Sequence, residues 1–363
     1  MKKVWGILLS MILIIGLTAC GNTDTAQEEA SAPAAENTSA AASAAEEESV
    51  PATEAVSENG KTYKIANLVK QLGTAWYQRQ QLGLDQINEE YDNVECFMVG
   101  PETADASEQV KIMEDLIAQG VDAITVVPVS VETLEPVCQK AREAGIIVIS
   151  HEAAGMENVD YDVEAFDNAS YGSHMMDLLA EAMGEEGQYA TTVGFLTSKS
   201  HNEWMEAAVA RQKEAYPNME LVVDKIEEND DTQTGHDKFQ ELVKTYPQLK
   251  GILVSSMSGT QGVGLAIDEM ELNGSVSAIG TCIVSVSGDY LESGALTATT
   301  FWDPAGAGYA LNKAALLALE GETIEEGTDL GYNGYHSITM NGNVIYGDDV
   351  EEATAETMSQ YPF

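Results

Sequence analysis

Basic residues are scarce in this sequence. Seventeen Lys and Arg stand against 60 Asp and Glu, a formal net charge of −43 over 363 residues. The long-range field of such a chain repels polyanions, so nucleic acid and an anionic membrane surface are excluded as partners. Cysteine is scarce too. Cys20, Cys96, Cys138 and Cys282 lie far apart, with no CxxC and no Cys/His pairing at zinc spacing, so no metal site is expected. Cys96 and Cys138 fall in apolar strand and helix patterns and read as small buried hydrophobes. Catalytic fingerprints are missing: there is no GxSxG, no GxxxxGK[ST] and no HExxH. Gly259, Gly262 and Gly264 follow a strand-like run, but their spacing is not GxGxxG, so a dinucleotide site lacks its fingerprint. No catalytic residue and no cofactor is expected. His151 beside Glu152 could be a base and its partner, yet adjacent residues in extended chain point apart.

What is present begins with an export pattern. Lys2 and Lys3 precede an apolar run over 4–17 that ends in Leu17-Thr18-Ala19-Cys20, too short and wrongly flanked for a spanning helix. LTAC followed by Gly21 resembles the bacterial lipoprotein signal, which implies lipidation of Cys20 and removal of residues 1–20. Residues 21–60 are almost entirely Ala, Ser, Thr, Glu, Asn and Pro, and hold no apolar residue larger than Val50 and Val56. Such a stretch buries too little surface to offset the entropy of ordering and reads as a disordered acidic tether, with a reach of roughly 35 Å.

From Thr62 the pattern becomes regular, and 44% apolar content over this length supports two folded domains. The stretch 100–130, GPETADASEQVKIMEDLIAQGVDAITVVPVS, shows the unit. A polar loop with Glu102, Asp105 and Ser107 leads into Val110, Met113, Leu116 and Ile117 at helical spacing; Gly120 stops the helix, and an apolar strand follows over 123–127. Strand-like runs recur at 64–69, 94–99, 146–149, 192–196, 221–226, 251–255, 276–279 and 296–300. Helical patterns fall between them, at 76–90, 107–119, 131–144, 169–183, 204–216, 234–246, 259–271 and 285–293. Alternating strand and helix gives parallel, doubly wound sheets. The strands are too many for one compact sheet and a break falls near Phe166 to Asn168, so the expected fold is α/β with two Rossmann-like lobes.

In such sheets ligands bind beyond the carboxyl ends of the strands. The residues found there are Lys70 with Trp76-Tyr77, then Ser150-His151-Glu152, the run SKSHNEW over 198–204, Ser255-Ser256-Met257-Ser258, and Phe301-Trp302-Asp303-Pro304. A single aromatic in such a place is often core. Their recurrence beside hydroxyl, amide and charged groups suits a sugar, which offers one apolar face and many hydroxyls.

These loops, the lipoprotein start, the FWD at 301–303 before a helix and the tail ITMNGNVIYGDDVEEATAETMSQYPF resemble the solute-binding proteins of bacterial ABC importers, in the periplasmic-binding protein type I class. Within that class the likeness is to the autoinducer-2 and rhamnose-binding group, and it covers residues 62–363. It implies two lobes joined by a three-segment hinge, with crossings near 166–168, 301–303 and 331–335. One lobe would then hold 62–166 and 303–331, the other 168–301 and 333–363. By motif, Lys70 matches a lysine that hydrogen-bonds ligand, Trp76 and Tyr77 a pair of cleft aromatics, and Trp302-Asp303 the cleft's WD. The chain departs from the autoinducer-2 binders where SHEA replaces a WDSD-like loop, so that His151 or Glu152 must substitute. It departs again at Ser200-His201-Asn202 and at Ser255-Ser256-Met257.

The resemblance implies a lipid-anchored, extracytoplasmic, monomeric receptor that delivers a small sugar-like ligand to the transmembrane subunits of an ABC permease, touching the membrane through its lipid only. Trp76, Tyr77 and Trp302 would pack on the ring; Lys70, His151, Glu152, His201, Asn202, Ser255 and Asp303 would hold hydroxyls, with Met257 in the same wall. A receptor feeding a sensor kinase or chemoreceptor is the alternative within binding proteins. A secreted sugar-active hydrolase would need paired carboxylates, and Glu152 with Asp303 is the pair available. The export signal, and the lack of a basic helix-turn-helix segment before Thr62, argue against a transcription factor on the same sensor fold.

Overall fold

The computed structural model describes residues 61–363. The export signal, Cys20 and the tether lie outside the described residues. From Tyr63 the chain runs β1 (Tyr63–Leu68), α1 (Ala75–Glu90), β2 (Val94–Val99), α2 (Ala106–Gln119), β3 (Ala123–Val126), α3 (Val131–Glu143), β4 (Ile147–His151) and β5 (Tyr161–Glu164). It continues through α4 (Asn168–Met183), β6 (Glu186–Val193), α5 (Lys199–Ala215), β7 (Asn218–Glu227), α6 (Thr232–Thr245), β8 (Leu249–Val254), α7 (Met257–Glu269), β9 (Ser277–Thr281), α8 (Val284–Ser293), β10 (Ala298–Phe301) and α9 (Pro304–Glu320). Three short strands, β11 (Thr339–Asn341), β12 (Val344–Tyr346) and β13 (Glu351–Ala353), close the order.

Two sheets result, the first ordered β11-β12-β5-β4-β3-β1-β2 and the second β13-β10-β9-β8-β6-β7. Pairing is parallel except at β11 with β12 and β13 with β10. The central strands are buried on both faces, as parallel sheets covered by helices require: β3 is apolar or Thr throughout and wholly buried. Helix starts follow local chemistry. Asp105, Ser130, Asp167, Asp231, Ser256 and Asp303 each accept a backbone N–H of the helix they open, typically worth about 1 kcal/mol apiece.

The tail departs from the sequence expectation. β12 pairs parallel with β5, Val344 opposite Asp162, so residues 339–346 belong to the first sheet and not to the second lobe. The third crossing therefore falls at 347–350 and not near 331–335. Backbone bonds from Gly347 N–H to Glu164 C=O and from Asp349 N–H to Ala165 C=O lace it to the first crossing. β5 itself escaped the reading because YDVE alternates with acidic residues, which are poor strand formers. α5 begins five residues before its expected start at Trp204. Its polar first turn faces the site described below and carries no apolar signal.

α9 packs on the first sheet through a buried amide pair. Asn67 and Asn312 exchange two hydrogen bonds of 2.9 Å, and the Thr125 hydroxyl donates to Asn67 at 2.7 Å. Gly83 lets α9 approach α1, since a Cβ there would stand 2.0 Å from the Ala305 carbonyl oxygen. Cys96, Cys138 and Cys282 are free and buried. Among the described residues no helix is long and apolar enough to cross a membrane, and no group of three His, Cys, Asp or Glu is placed to hold a metal ion.

Candidate ligand-binding site

A cavity of about 60 Å³ lies between the carboxyl ends of the two sheets. That is room for roughly four to six waters, or a small solute in their place. Its wall draws on Lys70 beyond β1, Glu152 beyond β4, His201 beyond β6, Asp230 beyond β7, Ser255 beyond β8, Thr281 at the end of β9 and Trp302 beyond β10. Trp76, Tyr77 and Met257 also line it.

The aromatic part is a connected set. Trp76, in the first turn of α1, meets Trp302 edge to face with ring centroids 4.6 Å apart. Trp204 stands 5.9 Å from Trp302, and its indole N–H donates to Asn168 Oδ1 at 2.6 Å. Phe166, in the first crossing, packs on Tyr171, Trp204 and Trp302. The ring wall thus continues into two of the three hinge segments.

The polar part centres on Lys70 and Glu152. Both are buried, and Nζ donates to Oε2 at 2.7 Å. Burial opposes either charge alone. Glu152, with Asp230, outweighs it at Lys70, whose pKa is raised; Lys70 is the chief group that outweighs it at Glu152, whose pKa is lowered. The pair is therefore ionised. Glu152 sits at φ 57°, a left-handed conformation that costs a non-glycine residue about 1 kcal/mol or more. In this conformation its carbonyl accepts the Ser200 hydroxyl at 2.8 Å. Together with Thr197 Oγ1 donating to Val129 C=O at 3.2 Å, this contact joins the two lobes around the cavity.

His201 is a fixed donor. Its Nδ1 accepts the Gly194 N–H at 3.3 Å, and burial, assisted by Lys70, drops its pKa to about 3. The neutral ring must then carry its proton on Nε2. Tyr77 stays a phenol, because burial and the charges of Glu152 and Asp230 raise its pKa well above the usual tyrosine value. Ser255 Oγ donates to the Thr192 carbonyl at 3.1 Å, which leaves its lone pairs free for ligand.

Three expected ligand residues do not reach the wall. Asp303 caps α9, takes Arg79 in two hydrogen bonds of 2.8 and 2.7 Å, and lies outside the cavity; the Glu152/Asp303 pair of a hydrolase is therefore not assembled there. Asn202, in the first turn of α5, faces back to the loop before that helix, donating to Phe195 C=O and Ser198 C=O at 3.2 and 2.7 Å. His151 is the last residue of β4, with Nδ1 2.5 Å from the Val163 carbonyl oxygen and its ring edge-on to Trp302 at 5.9 Å. Its Nε2 lies 3.9 Å from Glu152 Oε1, so His151 backs Glu152, and of the two only Glu152 lines the cavity.

The wall also contains Gln71, Thr74, Trp204, Asp230, Ser256, Ser258 and Thr281. Asp230 is the most telling of these. It follows β7, and the strand-end rule applied there would have found it, but in the run EENDD it looks like solvated surface charge.

This geometry has relatives. The model of the periplasmic binding protein domain matches residues 65–323. The D-ribose/D-allose-binding protein of Pseudomonas aeruginosa is 23% identical over 293 residues, covering 77% of this chain and 89% of that protein. Among solved structures, an ABC transporter solute-binding protein from Clostridium phytofermentas with bound L-rhamnose superimposes with a TM-score of 0.76 at 20% identity, covering 83% of this chain and 98% of the other. A glucose-galactose binding protein from Geobacillus stearothermophilus gives 0.73 at 17% identity, covering 84% and all of the other. Two α/β sheets, a cleft at their carboxyl ends, three crossings and a family model matched over most of the chain lead to one assignment: the chain belongs to the periplasmic binding protein domain family and has the type I fold of sugar ABC-transporter solute-binding proteins.

Proposed function

We propose that the protein is the extracytoplasmic substrate-binding lipoprotein of an ABC importer, tethered through Cys20, and that it captures a small polyhydroxylated ligand, a sugar, for delivery to the permease. The observation that carries this reading is the composition of the cavity wall. Tryptophan faces contributed by both lobes enclose it beside a fixed histidine donor, a buried ion pair and several hydroxyls. A sugar ring supplies the matching apolar face and hydroxyl edge. The sugars named for the relatives, ribose or allose and rhamnose, fit the same chemistry.

No chemical step is needed. A ligand that touches Lys70 and Glu152 on one lobe and His201 and Ser255 on the other binds the closed arrangement better than the open one, and so favours closure. Closure presents a joint surface of both lobes to the permease. A thermal-shift panel of rhamnose, ribose, xylose, galactose, glucose, autoinducer-2 with and without borate, and nucleosides tests this. Ligand at a hundredfold excess over its dissociation constant adds about 2.7 kcal/mol to stability. A shift from one sugar supports the reading; a nucleoside shift with silence from every sugar refutes it.

A further inference from the structure

Around the cavity, carboxyl groups outnumber cations. Glu152 and Asp230 stand in the wall. Glu228, two residues before Asp230, is 1% exposed and accepts the hydroxyl of wall residue Ser256 at 2.6 Å. Asp162 and Glu164 are buried near Glu152. Burial holds Asp162, Glu164 and Glu228 towards their neutral forms, so the wall's own acidic groups are Glu152 and Asp230; among the described residues its one Lys or Arg is Lys70, whose ammonium donates to Glu152. His201 adds no charge, since its Nδ1 accepts a backbone N–H and its ring is neutral.

Three oxygens of these carboxyl groups are left without partners, Asp230 Oδ1, Glu228 Oε2 and Asp162 Oδ2, and of the three residues only Asp230 stands in the wall. Glycines leave room for the Asp230 and Glu228 carboxyls: a Cβ on Gly194 would stand 2.0 Å from Asp230 Oδ1, and one on Gly259 would stand 2.3 Å from Glu228 Oε1. The indole N–H of Trp302, a wall residue only 2% exposed, is also unpartnered. The remaining wall is largely aromatic, from Trp76, Tyr77, Trp204 and Trp302.

We propose that the ligand is an amino sugar, a monosaccharide whose protonated amine seats against Asp230 while its ring lies among the tryptophans. The proposal rests on the reading of the cavity as a sugar site. A neutral hydroxyl gives Asp230 one hydrogen bond and brings no charge to a carboxyl whose pKa burial and Glu152 raise against the opposing pull of Lys70. An ammonium both donates and neutralises, and charge-assisted bonds are roughly twice as strong as neutral ones. The aromatic faces attract a cation further. Lys70 offers little repulsion because Glu152 already balances it. The Trp302 N–H and the His201 Nε2–H remain as donors for the sugar's hydroxyl oxygens.

The test is calorimetric titration of the full chain with glucosamine, galactosamine and mannosamine, each beside its neutral parent glucose, galactose or mannose. Titrations in both mildly acidic and neutral buffer separate protonation of the sugar amine from protonation of Asp230, whose pKa burial and Glu152 raise. At least one amino sugar is expected to bind about tenfold or more tightly than its parent, the usual size of a hydrogen bond to a charged group. Asp230→Asn should collapse that ratio towards one. Asp230 has φ 49°, a left-handed conformation that asparagine tolerates well, so the fold is kept. A parent sugar that binds as tightly as its amine overturns the amino-sugar assignment and leaves the sugar cleft standing. A preference that survives Asp230→Asn overturns the seat at Asp230. Silence from all six sugars with a folded protein overturns the amino-sugar assignment, and the thermal-shift panel then decides separately whether the cleft takes sugars at all.

Discussion

Trp76 and Trp302 meet at 78° with their centroids 4.6 Å apart, although one opens the first helix and the other lies on the second crossing between lobes. A side chain of the cavity wall is thereby packed against the hinge. Any ligand that fixes one ring constrains the segment about which the lobes turn.

The double change Trp76→Ala and Trp302→Ala is expected to abolish ligand binding. The two single changes should be non-additive by about 0.5–1.5 kcal/mol, the coupling of an edge-on aromatic pair. Titration of both single variants and the double variant with the ligand found in the panel checks this. Unchanged affinity in the double variant would remove this cavity from the binding reaction.

Lys70→Met should destabilise the protein by about 3–5 kcal/mol, because it strands the buried Glu152 carboxylate. Lys70→Met combined with Glu152→Gln should recover most of that loss, as read by urea denaturation. The sign of the pH dependence follows from the two shifts. Glu152 is lowered from 4.5, so its contribution is full above that value and fades as pH falls through the lower folded pKa. Lys70 is raised from 10.5, so its contribution is full below that value and fades as pH climbs through the higher folded pKa. Between these limits the pair's effect should be flat.

Glu228 behaves in the opposite way. Burial, reinforced by Asp230, pushes its pKa from 4.5 up to about 8, so the folded state holds a proton that the unfolded state has released. Its unfavourable contribution begins as pH passes about 4.5 and is complete above about 8. Glu228→Gln is expected to stabilise the protein by at least about 1 kcal/mol at pH 8 and to change little at pH 4. Denaturant midpoints at the two pH values measure it.

Asp303→Ala separates hinge from cavity. It removes the cap of α9 and the two-pronged bond to Arg79, whose guanidinium also lies 4.1 Å from the centre of the Phe363 ring. The expected loss is about 1–2 kcal/mol of stability. Ligand affinity should fall less than it does in Trp302→Ala, measured on the same sugar. A larger affinity loss at Asp303 than at Trp302 would return Asp303 to the site.

The alternation of strand and helix from Thr62 onward was legible because its signals are local. Apolar runs such as 123–127, caps such as Asp105 and Ser130, and the stop at Gly120 depend on residues within a turn or two of one another. The rule that ligands bind beyond strand carboxyl ends then located most of the wall, including Lys70, Glu152, His201, Ser255 and Trp302. Local signals failed where pairing is distant. Nothing within YDVE or NVIY says that the two lie side by side, and that single parallel pairing moved the third crossing to 347–350.

The sequence by itself determined the α/β order, the strand ends at which a site could form and the aromatic character of that site, since periodicity and composition encode these directly. Only the tertiary structure decided which of two neighbouring residues faces inward. It put Glu152 in the cavity wall and His151 behind it against Trp302, gave Asp303 to Arg79 and drew Asp230 out of an acidic run into the wall. Side-chain direction and pairing depend on distances of about an ångström between segments far apart in the chain, and those distances exist only once both sheets have packed.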